Sequence, residues 1–141
     1  MPSEHKSAQV IIIGGGIIGC SIAYHLAKLG VSDVMLFERK QLTCGTTWHA
    51  AGLVAQLRAS QNMTRLAQYT TELFANLAQE TGQETGYKKT GSISMALHAE
   101  RFEELKRQAS MANAFGVECE MVDKAFVNAQ WPEIDTRDMH G

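Results

Sequence analysis

Proline is nearly missing, with two in 141 residues, and no stretch is dominated by serine, proline or charge of one sign. Nothing therefore reads as a linker, a low-complexity tract or a disordered arm. Neither sign of charge is in surplus, because 13 Lys and Arg stand against 15 Asp and Glu for a net charge of −2. Without a basic stripe the chain lacks the electrostatic footprint of a nucleic-acid binder or of a protein held on an anionic membrane. Neither partner is expected. Cysteine is scarce and odd in number: Cys20, Cys44 and Cys119 show no paired spacing, which argues against a disulfide framework and against a metal site. A reducing compartment fits. Hydrophobic residues make up 45% of the chain, enough to bury a core, so one globular domain is expected.

Charge is locally absent between Lys6 and Lys28, over twenty-one residues. Gly14, Gly15, Gly16, Gly19, Ser21, Tyr24 and His25 interrupt that run, so it matches neither a spanning helix nor a signal peptide. Only nine residues precede the first apolar run, too few for a transit peptide as written.

The present residues punctuate the chain clearly. Val10-Ile11-Ile12-Ile13 is a continuous β-branched run, expected to be a strand buried on both faces. Ile18, Ile22 and Leu26 recur every four residues, and Gly30 follows, predicting a helix from Ile17 to Leu29. Val34-Met35-Leu36-Phe37 is a second apolar run, so residues 10–38 read as strand, tight turn, helix and parallel strand. Periodicity vanishes from Arg39 to about Arg58, predicting an extended, ligand-facing loop. Met63, Leu66, Leu73, Phe74 and Leu77 mark a helix to about Thr81, and Phe102, Leu105, Ala109 and Ala112 mark another from Glu100 to Phe115, closed by Gly116. Short strands are expected within 87–97 and 117–122, and Asp123 is placed to cap a short helix before Pro132.

Gly14-Gly15-Gly16-Ile17-Ile18-Gly19 fits G-x-G-x-x-G, a pattern that alone marks any tight turn. Here it follows a strand, opens a helix and precedes an acid, Glu38, nineteen residues after Gly19 at the end of the next strand. Gly14 would allow the turn, Gly16 the approach of a pyrophosphate and Gly19 close packing of helix on strand, while the helix N-terminus attracts the anion. Glu38 would accept hydrogen bonds from the adenosine ribose hydroxyls and repel a ribose phosphate, so it suits NAD or FAD and disfavours NADP. Arg39 either covers the adenine face or is a solvated strand-end residue.

Gly45-Thr46-Thr47-Trp48-His49-Ala50-Ala51-Gly52-Leu53-Val54, with Leu42 and Thr43 before it, resembles the flavin-linking loop of the dimethylglycine and sarcosine dehydrogenase family. Those enzymes are similar to the wider class of D-amino-acid-oxidase-like FAD oxidoreductases. The resemblance extends over most of the chain, through Thr81-Gly82, Gly91-Ser92-Ile93 and the helix from Glu100. It implies an α/β, Rossmann-like FAD-binding fold, incomplete in this chain. Residues 1–141 are then an N-terminal part, with further strands, a substrate-covering sheet and a folate-binding region expected beyond Gly141.

The same resemblance implies that His49 bonds covalently to the 8α-methyl group of FAD. Ile17 and Ile18 fall at the pyrophosphate, Glu38 and Arg39 at the adenosine, and Gly45, Thr46, Thr47, Trp48, His49, Ala50, Ala51, Gly52 and Leu53 along the cofactor. Reach agrees, since the eleven residues from Glu38 to His49 span at most roughly 35 Å when extended. A neutral imidazole is also a competent nucleophile. Read without the motif, a histidine in a Gly/Ala loop is an ordinary surface residue. Trp48 reads as packing beside the flavin, and Cys44 lacks the companions of a metal ligand. His25 reads as a satisfied helix residue, while His5, His98 and His140 have no assignable partner. Glu100, Glu103, Glu104, Lys106 and Arg107 read as a solvated helix face, with Glu103 and Arg107 as a supporting pair.

The activity implied is oxidative demethylation of an N-methylated glycine derivative, dimethylglycine or sarcosine, with hydride passing from the N-methyl group to flavin N5. The small-molecule amine, electron-transfer flavoprotein as reoxidant and tetrahydrofolate as one-carbon acceptor are the implied partners. The expected compartment is the cytoplasm of a bacterium or the mitochondrial matrix of a eukaryote. Three alternatives stand beside it: a non-catalytic regulatory relative that keeps the fold, a different FAD-dependent amine or amino-acid oxidase, and a nicotinamide-dependent Rossmann enzyme, which would leave the Gly45–Val54 loop unexplained.

Overall fold

The computed structural model describes residues 7–140, so His5 and Lys6 lie outside the described residues. The chain divides into two compact units, Met1–Leu53 and Val54–Gly141.

In the first unit, strand β1 (Val10–Ile13) leads through the glycine turn into helix α1 (Ile17–Lys28) and back to strand β2 (Val34–Phe37). The strands are parallel, in register from Val10 opposite Val34 to Ile13 opposite Phe37. Helix α1 ends as its glycine predicts. Gly30 takes φ 85°, and the N–H groups of Gly30 and Val31 return to the carbonyls of Ala27 and Leu26, the pair of bonds that satisfies a helix C-terminus.

Two expectations for this unit are corrected. Strand β1 is buried on one face: Ile12 is 7% exposed, whereas Ile11 is 55% and Ile13 89% exposed. A continuous apolar run needs cover on both sides, and α1 supplies it on one. The loop after β2 is also less extended than its composition suggests, because Thr46–His49 forms a turn of 3₁₀ helix. Short 3₁₀ pieces serve as connectors, and this one is held from outside where Thr47 Oγ1 accepts the Ile17 N–H.

In the second unit, α2 (Gln61–Thr81) starts on Ser60, whose hydroxyl accepts the Met63 N–H, and ends on Gly82 at φ 73°. Helix α3 (Ala99–Ala114) closes on Gly116, and α4 (Lys124–Gln130) is capped by Asp123, which accepts the Phe126 N–H at 2.8 Å. The core here is built from small residues. Thr64, Ala67 and Thr71 of α2, Leu105, Ala109 and Ala112 of α3, Val127 of α4, and Ala96 and Met139 are buried. Helix α2 thus turns a face of Thr and Ala inward at its start, leaving Met63 and Leu66 more than half exposed. Gln68 of α2 donates to the Gly116 carbonyl at 2.9 Å.

The strands expected within 87–97 and 117–122 do not form. Alternation of side chains persists, with Ile93 and Met95 half-buried and Ser94 exposed, but a strand is defined by a ladder partner, and among the described residues only β1 and β2 pair. The Ala96 carbonyl instead accepts the His140 N–H at 2.7 Å. The ion pair expected between Glu103 and Arg107 is replaced by Glu103 with Lys106 at 2.7 Å and Arg101 with Glu104 at 2.6 Å. No helix of the described residues is long and apolar enough to cross a membrane.

Candidate functional site

The chemistry-bearing residues of the first unit gather around the turn between β1 and α1. Gly14 continues the parallel ladder, donating its N–H to the Phe37 carbonyl at 2.8 Å, then swings to φ 107°, a conformation that favours glycine. Gly19 lies in the first turn of α1, directly over that bend. A Cβ there would overlap the Gly14 carbonyl oxygen and press on Ile12 at 3.3 Å, so helix and strand approach as closely as they do only because Gly19 has no side chain.

Gly15 is the residue that the spaced-glycine pattern passes over. Its N–H is accepted by Glu38 Oε2 at 2.8 Å, its carbonyl accepts the Thr43 N–H at 2.9 Å, and a Cβ on it would meet Leu42 Cδ2 at 2.5 Å and Glu38 Cβ at 3.0 Å. All these partners come from 23 or more positions down the chain, so only the fold reveals the requirement. Cys20 Sγ also lies 3.5 Å from the Gly15 carbonyl oxygen.

Glu38 stands at the end of β2 as expected, half-buried, with its second oxygen accepting the Lys40 N–H at 2.9 Å. The Gly15 N–H, then the Lys40 N–H, hold its carboxyl below the usual carboxylate range against the opposing pull of burial, and Arg39 adds to the lowering. A carboxylate has about four lone-pair sites. With the Gly15 N–H on one oxygen and the Lys40 N–H on the other, Glu38 retains acceptor capacity for a vicinal diol.

At the N-terminus of α1, the first N–H bonded back within the helix region is that of Cys20, to Gly16. The amides of Ile17, Ile18 and Gly19 lie ahead of that ladder, where helix geometry leaves donors for an outside acceptor. Thr47 takes the first, its Oγ1 accepting the Ile17 N–H at 2.9 Å, and the same oxygen would sit 3.1 Å from a Cβ on Gly16. Ile18 and Gly19 remain, with the helix dipole behind them.

Beside this turn is a cavity of about 890 Å³ lined by β1, by Gly14, Gly16, Ile17, Ile18, Gly19 and Ile22, by Glu38, Arg39 and Lys40, and by residues 43–47 and Ala50. Gly14, Gly16, Ile17, Ile18, Gly19, Glu38, Arg39, Gly45, Thr46, Thr47 and Ala50, each named from the sequence, are thereby brought together. Trp48, His49, Ala51, Gly52 and Leu53 do not line it. His49 is exposed at the end of the 3₁₀ turn, and Trp48 and Leu53 are 79% and 89% exposed among the described residues. His25 is satisfied as expected, its Nδ1 lying 2.6 Å from the Ser21 carbonyl oxygen.

An anion-binding helix end, an acid with free lone pairs and a close-packed glycine bend along one cavity fit the adenosine diphosphate half of FAD. Comparison with known proteins gives the same class. The family model described as FAD dependent oxidoreductase matches residues 9–141. The mitochondrial sarcosine dehydrogenase of Homo sapiens is 41% identical over 137 residues, covering 96% of this chain and 15% of that protein. The mitochondrial dimethylglycine dehydrogenase of Rattus norvegicus is 39% identical over 135 residues, covering 95% and 16%. The mitochondrial pyruvate dehydrogenase phosphatase regulatory subunit of Mus musculus is 41% identical over 134 residues, covering 95% and 15%. Among solved structures, glycine oxidase from Bacillus cereus superposes with a TM-score of 0.76 at 26% identity, covering 94% of this chain and 38% of that one. The chain thus spans about 15% of the length of the curated relatives it matches.

Proposed function

The chain belongs to the FAD dependent oxidoreductase family, and on that premise we propose that it is the FAD-binding N-terminal part of a dehydrogenase that oxidatively demethylates dimethylglycine or sarcosine. The observation carrying this reading is the Trp48-His49-Ala50-Ala51-Gly52 segment, which begins one residue after the threonine bonded to the α1 N-terminus. Relatives named as sarcosine and dimethylglycine dehydrogenases support it.

Each residue has a task. The Ile18 and Gly19 amides, with the α1 dipole, bind the pyrophosphate oxygens, and Glu38 accepts the ribose hydroxyls with the lone pairs that Gly15 and Lys40 leave free. Arg39 lies along the adenosine. His49 would hold the flavin through a bond from an imidazole nitrogen to the 8α-carbon, a linkage that would replace one methyl C–H and the imidazole N–H and would need dioxygen to take up the two electrons and two protons as hydrogen peroxide. The chemistry that bound FAD supplies is acceptance of a hydride at N5 from the substrate N-methyl group, leaving a substrate iminium for water or tetrahydrofolate. Electron-transfer flavoprotein is the proposed reoxidant during turnover, and a bacterial cytoplasm or a mitochondrial matrix the proposed location.

The test uses the full-length protein. Its visible flavin band should bleach anaerobically on addition of dimethylglycine or sarcosine, and its flavin should stay with the protein after acid precipitation unless His49→Ala is present. Bound flavin that neither amine bleaches would favour a regulatory role, the reading suggested by the mouse regulatory subunit at 41% identity. Bleaching by another amine alone would move the substrate assignment.

A further inference from the structure

The segment carrying His49 is fastened to the dinucleotide turn at two points. The Thr43 N–H donates to the Gly15 carbonyl at 2.9 Å, and Thr47 Oγ1 accepts the Ile17 N–H at 2.9 Å. Thr43 does this at φ 65°, left-handed backbone that a β-branched residue adopts only where its surroundings over-determine it. The room for the second fastening comes from Gly16, on which any Cβ would come within 3.1 Å of the Thr47 oxygen. Between Thr47 and His49 there is one residue, inside the 3₁₀ turn of Thr46–His49. Displacing Thr47 therefore displaces His49.

The Ile17 amide is also an odd donor to use up. It is the first N–H of α1, at the end of the helix where an anionic group would be attracted. A threonine hydroxyl there takes one of the three amides ahead of the ladder and in exchange fixes where the following loop runs.

We infer that Thr47 is a positioning residue for the covalent flavin link: its hydroxyl fixes the distance between the pyrophosphate-binding turn and His49, so that a cofactor seated on the turn presents its 8α-carbon to the imidazole. This rests on the His49 reading of the proposed function. The role differs from that of a cofactor ligand, because the oxygen acts on the loop through Ile17 and sets the rate of bond formation once flavin is bound. Such a role is sensitive to small displacements, since about 1 Å of misplacement of reacting groups slows a reaction by about a hundredfold.

The experiment compares full-length protein, T47V, T47S and H49A, each produced under riboflavin limitation and then given saturating FAD. Acid-stable flavin is followed in time and divided by total bound flavin. Valine matches threonine in shape and removes the acceptor, so T47V should form the link about tenfold or more slowly per bound flavin. T47S, which keeps the hydroxyl, should run near the unsubstituted rate. Equal rates for T47V and the unsubstituted protein would overturn the inference while leaving the His49 reading intact. An unsubstituted protein that never links flavin would remove the His49 reading, and with it the task assigned to Thr47. Hydrogen exchange over residues 43–50 of the flavin-free protein is the second measurement. Protection is expected in the unsubstituted protein and in T47S and should fall in T47V. An unprotected loop in the unsubstituted protein would overturn the inference even if T47V failed to fold.

Discussion

Glu38 accepts the N–H of Gly15 at 2.8 Å across 23 positions of sequence, so the acid at the end of β2 braces the glycine turn from within the fold. An acid at this place reads from sequence as a ribose ligand. In the structure it serves the turn first, with capacity to spare.

Where no covalent bond holds the flavin, as in His49→Ala, that double duty makes flavin retention depend on pH. The N–H bonds of Gly15 and Lys40 hold the folded-state value of Glu38 below its unfolded value. The bracing is then fully present above the ordinary glutamate value of about 4.3 and is lost as pH falls through the lowered folded value. Glu103, Glu104 and Asp135, lowered by Lys106, Arg101 and Arg137, shift stability with the same sign, so the informative quantity is a difference between variants. Compared in the His49→Ala background, Glu38→Gln should weaken flavin retention at neutral pH and flatten its loss in acid. Retention profiles of variant and parent that overlay from pH 7 to pH 3 would remove Glu38 from the site.

Gly14 and Gly19 should fail differently when given a methyl group. A Cβ at Gly19 meets the Gly14 carbonyl, a backbone atom that cannot swing aside, whereas a Cβ at Gly14 meets nothing within 4 Å but sits at φ 107°. Gly19→Ala forces α1 off β1 at an overpacking cost of about 1–3 kcal/mol or more and should abolish flavin binding. Gly14→Ala carries backbone strain of about 1–3 kcal/mol and should lower the melting temperature while some flavin is retained. Equal flavin loss in the two would show that the helix–strand spacing does not matter.

Most of the elements were legible because their causes are local. The run Val10–Ile13, the glycines, the four-residue stripe of α1 and the helix-closing Gly30, Gly82 and Gly116 each act within a few residues. The two absent strands failed for the opposite reason: 87–97 carries strand-like alternation, yet pairing is a property of a neighbour. Within the site, Gly14, Gly16, Gly19 and Glu38 were recognisable by spacing. Gly15 and the bond from Thr47 to Ile17 were not, because both depend on where residues 42–47 return in space. For Ser60 the signal existed and lay outside the apolar stripe used to place α2.

Thr64 supplies a prediction free of any cofactor. It is fully buried, its hydroxyl accepting the Arg58 N–H at 3.1 Å and donating toward the carbonyl of Ser60 at 2.9 Å. Thr64→Val keeps the volume and orphans the Arg58 N–H, for an expected loss of about 1–3 kcal/mol. Thr64→Ser keeps the bonds and gives up one methyl group, worth about 0.8 kcal/mol. Denaturant unfolding of full-length protein should rank parent, Ser and Val in that order, and a valine variant as stable as the parent would show that the hydroxyl is not needed.

The last prediction concerns these 141 residues expressed alone. Among the described residues β1 pairs only with β2, and an isolated two-stranded sheet is at best marginally stable in water. The same unit exposes Ile11 at 55%, Ile13 at 89% and Ile18 at 75%, apolar side chains on β1 and α1 that line the cavity beside the turn. A strand with an unpaired edge and an uncovered apolar face offers both the hydrogen bonds and the hydrophobic surface that drive association between copies. The chain alone should therefore elute as oligomers or aggregates in size exclusion with light scattering, and Ile13→Lys, which places a charge on that face, should shift it toward monomer. It should also show no oxidation of dimethylglycine or sarcosine with an artificial electron acceptor. A monomeric, unaggregated parent would mean that the exposed face of β1 is tolerated, and turnover by it would place the whole catalytic apparatus within these residues.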